Sequence, residues 1–133
     1  VEPLHLIDEA LAKHQAGFAA AKPQGVVAGK VRPSRFPGVP EHGILHGGAS
    51  VALAETLSSI GAWLNLDSED QTAVGLEINA NHIKTVRKGG TVRGIARPVH
   101  RGAQTQVWET RIETESGKLV SISRCTLVVV KRR

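Results

Sequence analysis

The chain has 133 residues, 41% hydrophobic and 22% charged, with a formal net charge of +5 and a single cysteine. That length is one domain's worth of chain, expected over residues 1–133, with enough buried surface for a core, and the balance excludes a disordered or fibrous protein. The 17 Lys and Arg are scattered and aromatics make up only 3% of the chain, so the basic, base-stacking surface that binds nucleic acid is not expected.

The opening "LHLIDEALAKHQAGFAAA" places Leu4, Ile7, Leu11 and Phe18 at helical spacing and reads as an amphipathic helix. "QGVVAGKVRP" reads as a strand, and "PSRFPGVPEHG", with its prolines and glycines, as a loop. Residues 46–66 hold no proline and distribute Val51, Leu53, Ala54, Leu57, Ile60 and Leu64 around nearly the whole circumference. A helix apolar all round is expected to be buried on every side. After "DSEDQ" the period changes to two: Val74, Leu76, Ile78 and Ala80 alternate with Gly75, Glu77, Asn79 and Asn81 in a half-buried strand running to His82. Three further strands are expected near 91–100, 104–115 and 119–130, the last two joined by a turn at "ESGK". One helix followed by four antiparallel strands is an α+β layout, with a sheet curling around the helix. No apolar run approaches the roughly 20 residues of a membrane span, and the N-terminus lacks the layout of a signal peptide. A cytoplasmic protein without a membrane partner is therefore expected. Position 1 is Val, not Met, so the numbering is not expected to begin at a translation start. Cys125 has no internal partner and sits in an apolar strand pattern, which reads as core.

The chemistry concentrates in "HGGASVALAETLSSIGAW", residues 46–63. Gly47 and Gly48 open the helix, where unpaired N–H groups and the positive dipole end favour an anion or a developing oxyanion. The alternative is a glycine pair that only lets the loop turn into the helix. Glu55 is a lone carboxylate among Leu53, Ala54 and Leu57, where desolvation is expected to make it a better base or nucleophile. Direct attack on a carbonyl and general-base activation of water are both open to it. Ser59, one turn on, could hydrogen-bond that carboxylate or serve as a packing residue. No G-x-S-x-G elbow occurs, and His42 and His46 stand four apart but are interrupted by glycine and lack a third ligand. Neither a metal nor another cofactor is expected. His46 is assigned to the loop or to the substrate's side.

In "GILHGGASVALAETLSSIGAW", "VGLEINANHIK" and "RGAQTQVWETRI" the sequence resembles the hotdog-fold acyl-CoA thioesterases, in the branch of the Glu-dependent 4-hydroxybenzoyl-CoA and phenylacetate-pathway enzymes. The resemblance implies a curved antiparallel sheet wrapped around a central helix. It also implies a homodimer with shared active sites, usually paired into a homotetramer, and hydrolysis of an acyl-CoA without a cofactor. Glu55, Gly47, His46 and Ser59 would be the reacting group. Gly48, Gly75, His82, Ile83, Lys84, Thr85, His100, Arg101, Gly102, Ala103, Gln104 and Thr105 would line the path of substrate and CoA, with Lys84 and Arg101 placed to meet phosphate. Relatives often carry glutamine six residues before the HGG histidine, where this chain has Pro40. Proline donates no hydrogen bond, so the role is lost, moved to a neighbour such as His42, or supplied by a shifted loop. Two rival functions are an acyl-CoA sensor without catalysis and a hotdog enoyl-CoA hydratase. The hydratase is disfavoured by the lack of a recognisable Asp and His pair in the helix region.

Overall fold

A computed structural model describes residues 27–31, 44–87 and 90–133. The amphipathic helix expected at residues 4–21, and Pro40 and His42, lie outside the described residues. The elements are β1 (Val27–Val31), α1 (Gly47–Leu64), β2 (Gln71–His82), β3 (Val92–Arg101), β4 (Thr105–Thr114) and β5 (Leu119–Lys131).

The strands form one five-stranded antiparallel sheet in the order β1-β3-β4-β5-β2. The expected run of sequential neighbours is corrected at one place: β2 does not pair with β3 but lies at the far edge beside β5. The β4–β5 connection is the expected turn, with Gly117 at φ 81 supplying the left-handed conformation that a side chain disfavours. Thr114 closes it, donating its N–H to the Lys118 carbonyl and accepting the Lys118 N–H on Oγ1.

A second correction concerns β2. The alternation of Val74, Leu76, Ile78 and Ala80 reads as one buried face, yet Val74 is 50% and Leu76 62% exposed. Pairing with β5 passes from Gly75↔Leu127 directly to Glu77↔Thr126, so Leu76 is an extra residue in a bulge. One inserted residue reverses the phase of a strand whose side chains alternate. Ala73 before the bulge and Ile78 after it both pack on the core.

Helix α1 is not buried all round, which corrects the third expectation. Its buried residues are Ser50, Leu53, Ala54, Leu57, Ser58, Gly61, Ala62 and Leu64. Gly48, Ala52, Glu55 and Trp63 are exposed and Ser59 is half-buried. At 3.6 residues per turn these five fall within an arc of about 80°. A sheet from one chain covers one side of a helix and leaves this stripe open.

The covered side meets Val92, Ala96, Trp108, Ile112, Val120, Cys125 and Leu127. Polar groups between the layers are matched. Ser58 and Thr110 share a hydrogen bond at 3.2 Å, and Trp108 Nε1 donates to Gln106 Oε1 at 2.9 Å. A Cβ at Gly61 would lie 2.6 Å from the fully buried Trp108 ring, so helix and sheet touch where there is no side chain. Among the described residues no helix is long and apolar enough to cross a membrane.

Gly61→Ala gains about 1 kcal/mol of helix propensity, but overpacking a rigid ring costs about 1–3 kcal/mol. Three ring atoms lie inside 3.0 Å, so strain wins and a net loss of up to about 2 kcal/mol is expected. Urea unfolding measures it, and a variant as stable as the wild type would show that the indole yields.

Candidate active site

His46 is the N-cap of α1, with extended backbone at φ −69 and ψ 134, and its Nδ1 accepts the Gly48 N–H at 2.9 Å. That bond requires a ring with Nδ1 unprotonated, which in the neutral imidazole leaves the proton on Nε2. It also separates the two glycines. The Gly48 N–H is taken by the cap, and among the described residues the Gly47 N–H has no partner, so it is the donor left to meet a ligand oxygen. A Cβ at Gly47 would lie 2.9 Å from Nε2 of His82, the last residue of β2. His46, Gly47, Gly48 and His82 therefore gather at one end of the helix.

Two turns along, Glu55 lies on the open stripe. Leu53 and Ala54 adjoin it in sequence but turn away at about 100° per residue toward the sheet. The expected desolvation of its carboxylate is corrected: within one chain Glu55 is exposed. Its Oε1 lies 3.0 Å from where a Cβ of Gly75 would be, so the bulged edge strand supplies the carboxylate's neighbour. Among the described residues no hydrogen bond joins Ser59 to Glu55. Cys125, beneath this region, is buried, and burial first, then the charges of Glu55 and Glu77, push its thiol up to about 11. It is held as a neutral thiol, a core residue as expected and a poor nucleophile.

The remaining expected contacts divide. Ile83 and Lys84 follow β2 out of the sheet, both donating N–H to the Val120 carbonyl, with exposed side chains beside exposed Thr85. His100, Arg101, Gly102, Ala103, Gln104 and Thr105 form the β3–β4 turn, closed by the Gly102 N–H on the Thr105 carbonyl at 2.8 Å. This turn belongs to the opposite end of the helix. Arg101 Nη1 donates to Asn65 Oδ1 at 3.0 Å, while Asn65 Nδ2 donates to the Gly61 carbonyl at 2.8 Å. Arg101, expected at a phosphate, here ties the sheet to the helix C-terminus. Asn65 was missed by the sequence reading, and an Asn just past the last apolar helical residue is the stop signal that would have found it. An 18-residue helix is about 27 Å long, so one chain does not bring this turn to Gly47.

Among the described residues, the Gly47 N–H without a partner and Glu55 as the one carboxylate on the open stripe make an arrangement that suits acyl transfer. Known proteins give the family. The Thioesterase superfamily matches residues 42–121. A 1,4-dihydroxy-2-naphthoyl-CoA hydrolase of Listeria monocytogenes is 50% identical over 91 residues, covering 68% of this chain and 72% of that protein. The Escherichia coli protein of the same name is 48% identical over 88 residues, 66% of this chain and 63% of its own length. The crystal structure of a Haemophilus influenzae thioesterase superposes with a TM-score of 0.76 at 36% identity, covering 95% of this chain and 90% of that one. The chain belongs to the thioesterase superfamily. It has the hotdog fold and is a thioester hydrolase by class.

Gly75→Ala tests the seat of the carboxylate. The new methyl displaces the end of a flexible side chain, so stability should change by no more than about 0.5 kcal/mol. Where Glu55 is the reacting group, moving it by a fraction of an ångström should lower kcat by about tenfold. Equal kcat in the variant would separate Gly75 from Glu55.

Proposed function

We propose that the protein hydrolyses the thioester of an aromatic or similarly bulky acyl-CoA, with 1,4-dihydroxy-2-naphthoyl-CoA, and so menaquinone biosynthesis, as the leading candidate. The names carried by the Listeria and Escherichia relatives support that acyl group. The observation that carries the reaction is the Gly47 N–H, without a hydrogen-bond partner among the described residues, at the head of a helix whose open stripe holds Glu55.

The Gly47 N–H and the helix dipole polarise the thioester carbonyl and stabilise the oxyanion, worth roughly 3 kcal/mol per donor. Glu55 then acts by one of two routes. Its carboxylate attacks the carbonyl carbon, expelling CoA thiolate and leaving a mixed anhydride that water hydrolyses, or it takes a proton from a water that attacks directly. Both end in free acid and CoA. The His100 to Thr105 turn and Lys84 are proposed to meet CoA, and His82 the acyl or pantetheine part.

One chain does not complete this site. Gly47 and Glu55 are eight residues apart, about 12 Å along the axis. The reacting carbonyl has to be within about 3 Å of both groups. Two features support a second copy as the remedy: the uncovered stripe of α1, and β2, a long edge strand exposing Val74 and Leu76. Such an edge is a template for pairing with another chain. A two-fold dimer with antiparallel helices brings Gly47 of one protomer to Glu55 of the partner subunit and makes two equivalent sites. The same packing brings the partner's β3–β4 turn toward the Gly47 end. Pairing of dimers into a tetramer completes the reading.

Glu55→Ala should lower kcat with an aromatic acyl-CoA by about 10²- to 10⁴-fold, followed by release of free thiol. Binding of a non-hydrolysable CoA thioether should persist. Retention of more than about a third of wild-type kcat would remove the carboxylate from the reaction, since even a modest acid–base role exceeds that. A wild type that binds the thioether but releases no thiol would leave a CoA-ester binder.

The shared site has its own test. Gly47→Pro deletes the N–H at the first helical position, where proline is at home and His46 already has the extended backbone that precedes it; the His82 ring, 2.9 Å from a Cβ there, has to swing aside, so circular dichroism first checks that the variant folds. Mixing Gly47→Pro with Glu55→Ala and allowing subunit exchange gives mixed dimers with one intact site each. Activity should recover to about a quarter of wild type. No recovery after exchange confirmed by native mass spectrometry would place both groups in one chain.

A further inference from the structure

Trp63 is 40% exposed, while the second tryptophan, Trp108, is fully buried and hydrogen-bonded. Exposure of a large indole at a helix C-terminus has no explanation within the chain. Its position supplies one. Trp63 ends the same open stripe that carries Glu55, with half-buried Ser59 between them. The eight residues from Glu55 to Trp63 span about 12 Å along the axis, and since helical side chains all lean toward the N-terminus the spacing is kept at their tips.

We propose that Trp63 is the surface on which the acyl group of the substrate stacks, and that it selects a flat aromatic acyl group over a short aliphatic one. This rests on the thioesterase reading above and names the acyl class by the chemistry of a residue. The carbonyl has to lie within about 3.5 Å of the Glu55 carboxylate, and apolar contact with the indole needs about 4.5 Å, so the acyl group itself bridges on the order of 4 Å. A propionyl group falls short of that span. An aromatic ring covers it and presents a face to the indole, the offset or edge-on pairing that aromatic rings favour. The polar clamp of Arg101, Asn65 and the Gly61 carbonyl fixes the helix end from which Trp63 projects, so the ring is offered on a rigid support.

The experiment uses the full chain and three proteins: wild type, Trp63→Ala and Trp63→Phe. Calorimetry measures binding of phenacyl-CoA, a non-hydrolysable aromatic thioether, and of free CoA. Trp63→Ala should weaken phenacyl-CoA by about tenfold and leave CoA within about twofold, and Trp63→Phe should restore most of the loss. The kcat/KM for benzoyl-CoA should fall in Trp63→Ala by a similar factor. Tryptophan emission supplies a readout that a structural role does not move. Phenacyl-CoA should change the emission of the wild type and not that of Trp63→Phe, in which only buried Trp108 remains. Equal weakening of phenacyl-CoA and CoA, or no weakening of either, overturns the assignment. So does an emission that is already that of a buried indole and unresponsive to phenacyl-CoA, the result if a second copy covers Trp63. The underlying reading fails separately: a wild type that binds phenacyl-CoA with the emission change but hydrolyses no aromatic acyl-CoA keeps the stacking surface and loses the hydrolase.

Discussion

The contact between Gly61 and the indole of Trp108 sets the distance between helix and sheet, and the placement of every group at the site follows from that distance. With no Cβ at Gly61, the buried ring rises into the helix's covered side, and Leu53, Leu57 and Leu64 share the core with it, the first two reaching the space over Gly94. The helix is then fixed in rotation as well as in depth. Ser58 reaches Thr110, and Gln106, which receives the indole N–H, offers its own amide to the Ala62 carbonyl. A helix held in this way has only one stripe left to face outward. Glu55 faces out because its neighbours are committed inward.

At the head of the same helix, a capping interaction decides which backbone group is free for chemistry. Ser, Thr, Asp or Asn is the usual N-cap, and each would bring a short side chain close to the first turn. His46 does the same work with a ring, engaging Gly48 through Nδ1 and leaving Nε2 on its far side. Beyond it, the His82 ring fills the space beside Gly47 that any side chain there would claim. Two imidazoles from distant parts of the chain therefore frame one N–H.

Much of this was legible in the residues. The helix expected at 46–66 is found at Gly47–Leu64, and the strands expected near 91–100, 104–115 and 119–130 are found within a residue or so at each end. Strong periodicity, a glycine start and a glycine turn mark these boundaries locally. What stayed hidden depends on more than one element. The bulge at Leu76 leaves no trace in an alternation that looks unbroken, because the extra residue is defined only by what β5 offers opposite it. The open stripe was hidden for a related reason. Apolar residues around the whole helix circumference state that all sides are to be covered, but not that one chain's sheet reaches only some of them. Glu55 was found by composition and misjudged in environment for that reason. Arg101 was placed along the CoA path by resemblance, and its bond to Asn65, 36 positions away, was not foreseen because it joins two distant elements.

The placement of β2 at the far edge also bears on how the chain acquires its structure. β2 pairs with β5, Gln71 opposite Lys131, so among the described residues the strand that seats Glu55 has no partner until residues 119–131 are available. β3, β4 and β5 join neighbours through short connections and can assemble early, whereas the closure of β2 is among the most non-local pairings in the fold and the slowest kind to form. During synthesis from the N-terminus, α1 and β2 emerge well before β5. The apolar stretch around Val74 and Leu76 is then carried unpaired, the condition in which nascent chains meet chaperones or one another. A ribosome-bound chain not yet extended to Leu119 would hold a helix and the three-stranded β1-β3-β4 sheet without the wall beside its carboxylate. Competence for chemistry thus waits on the strand that is made after all the others described, β5.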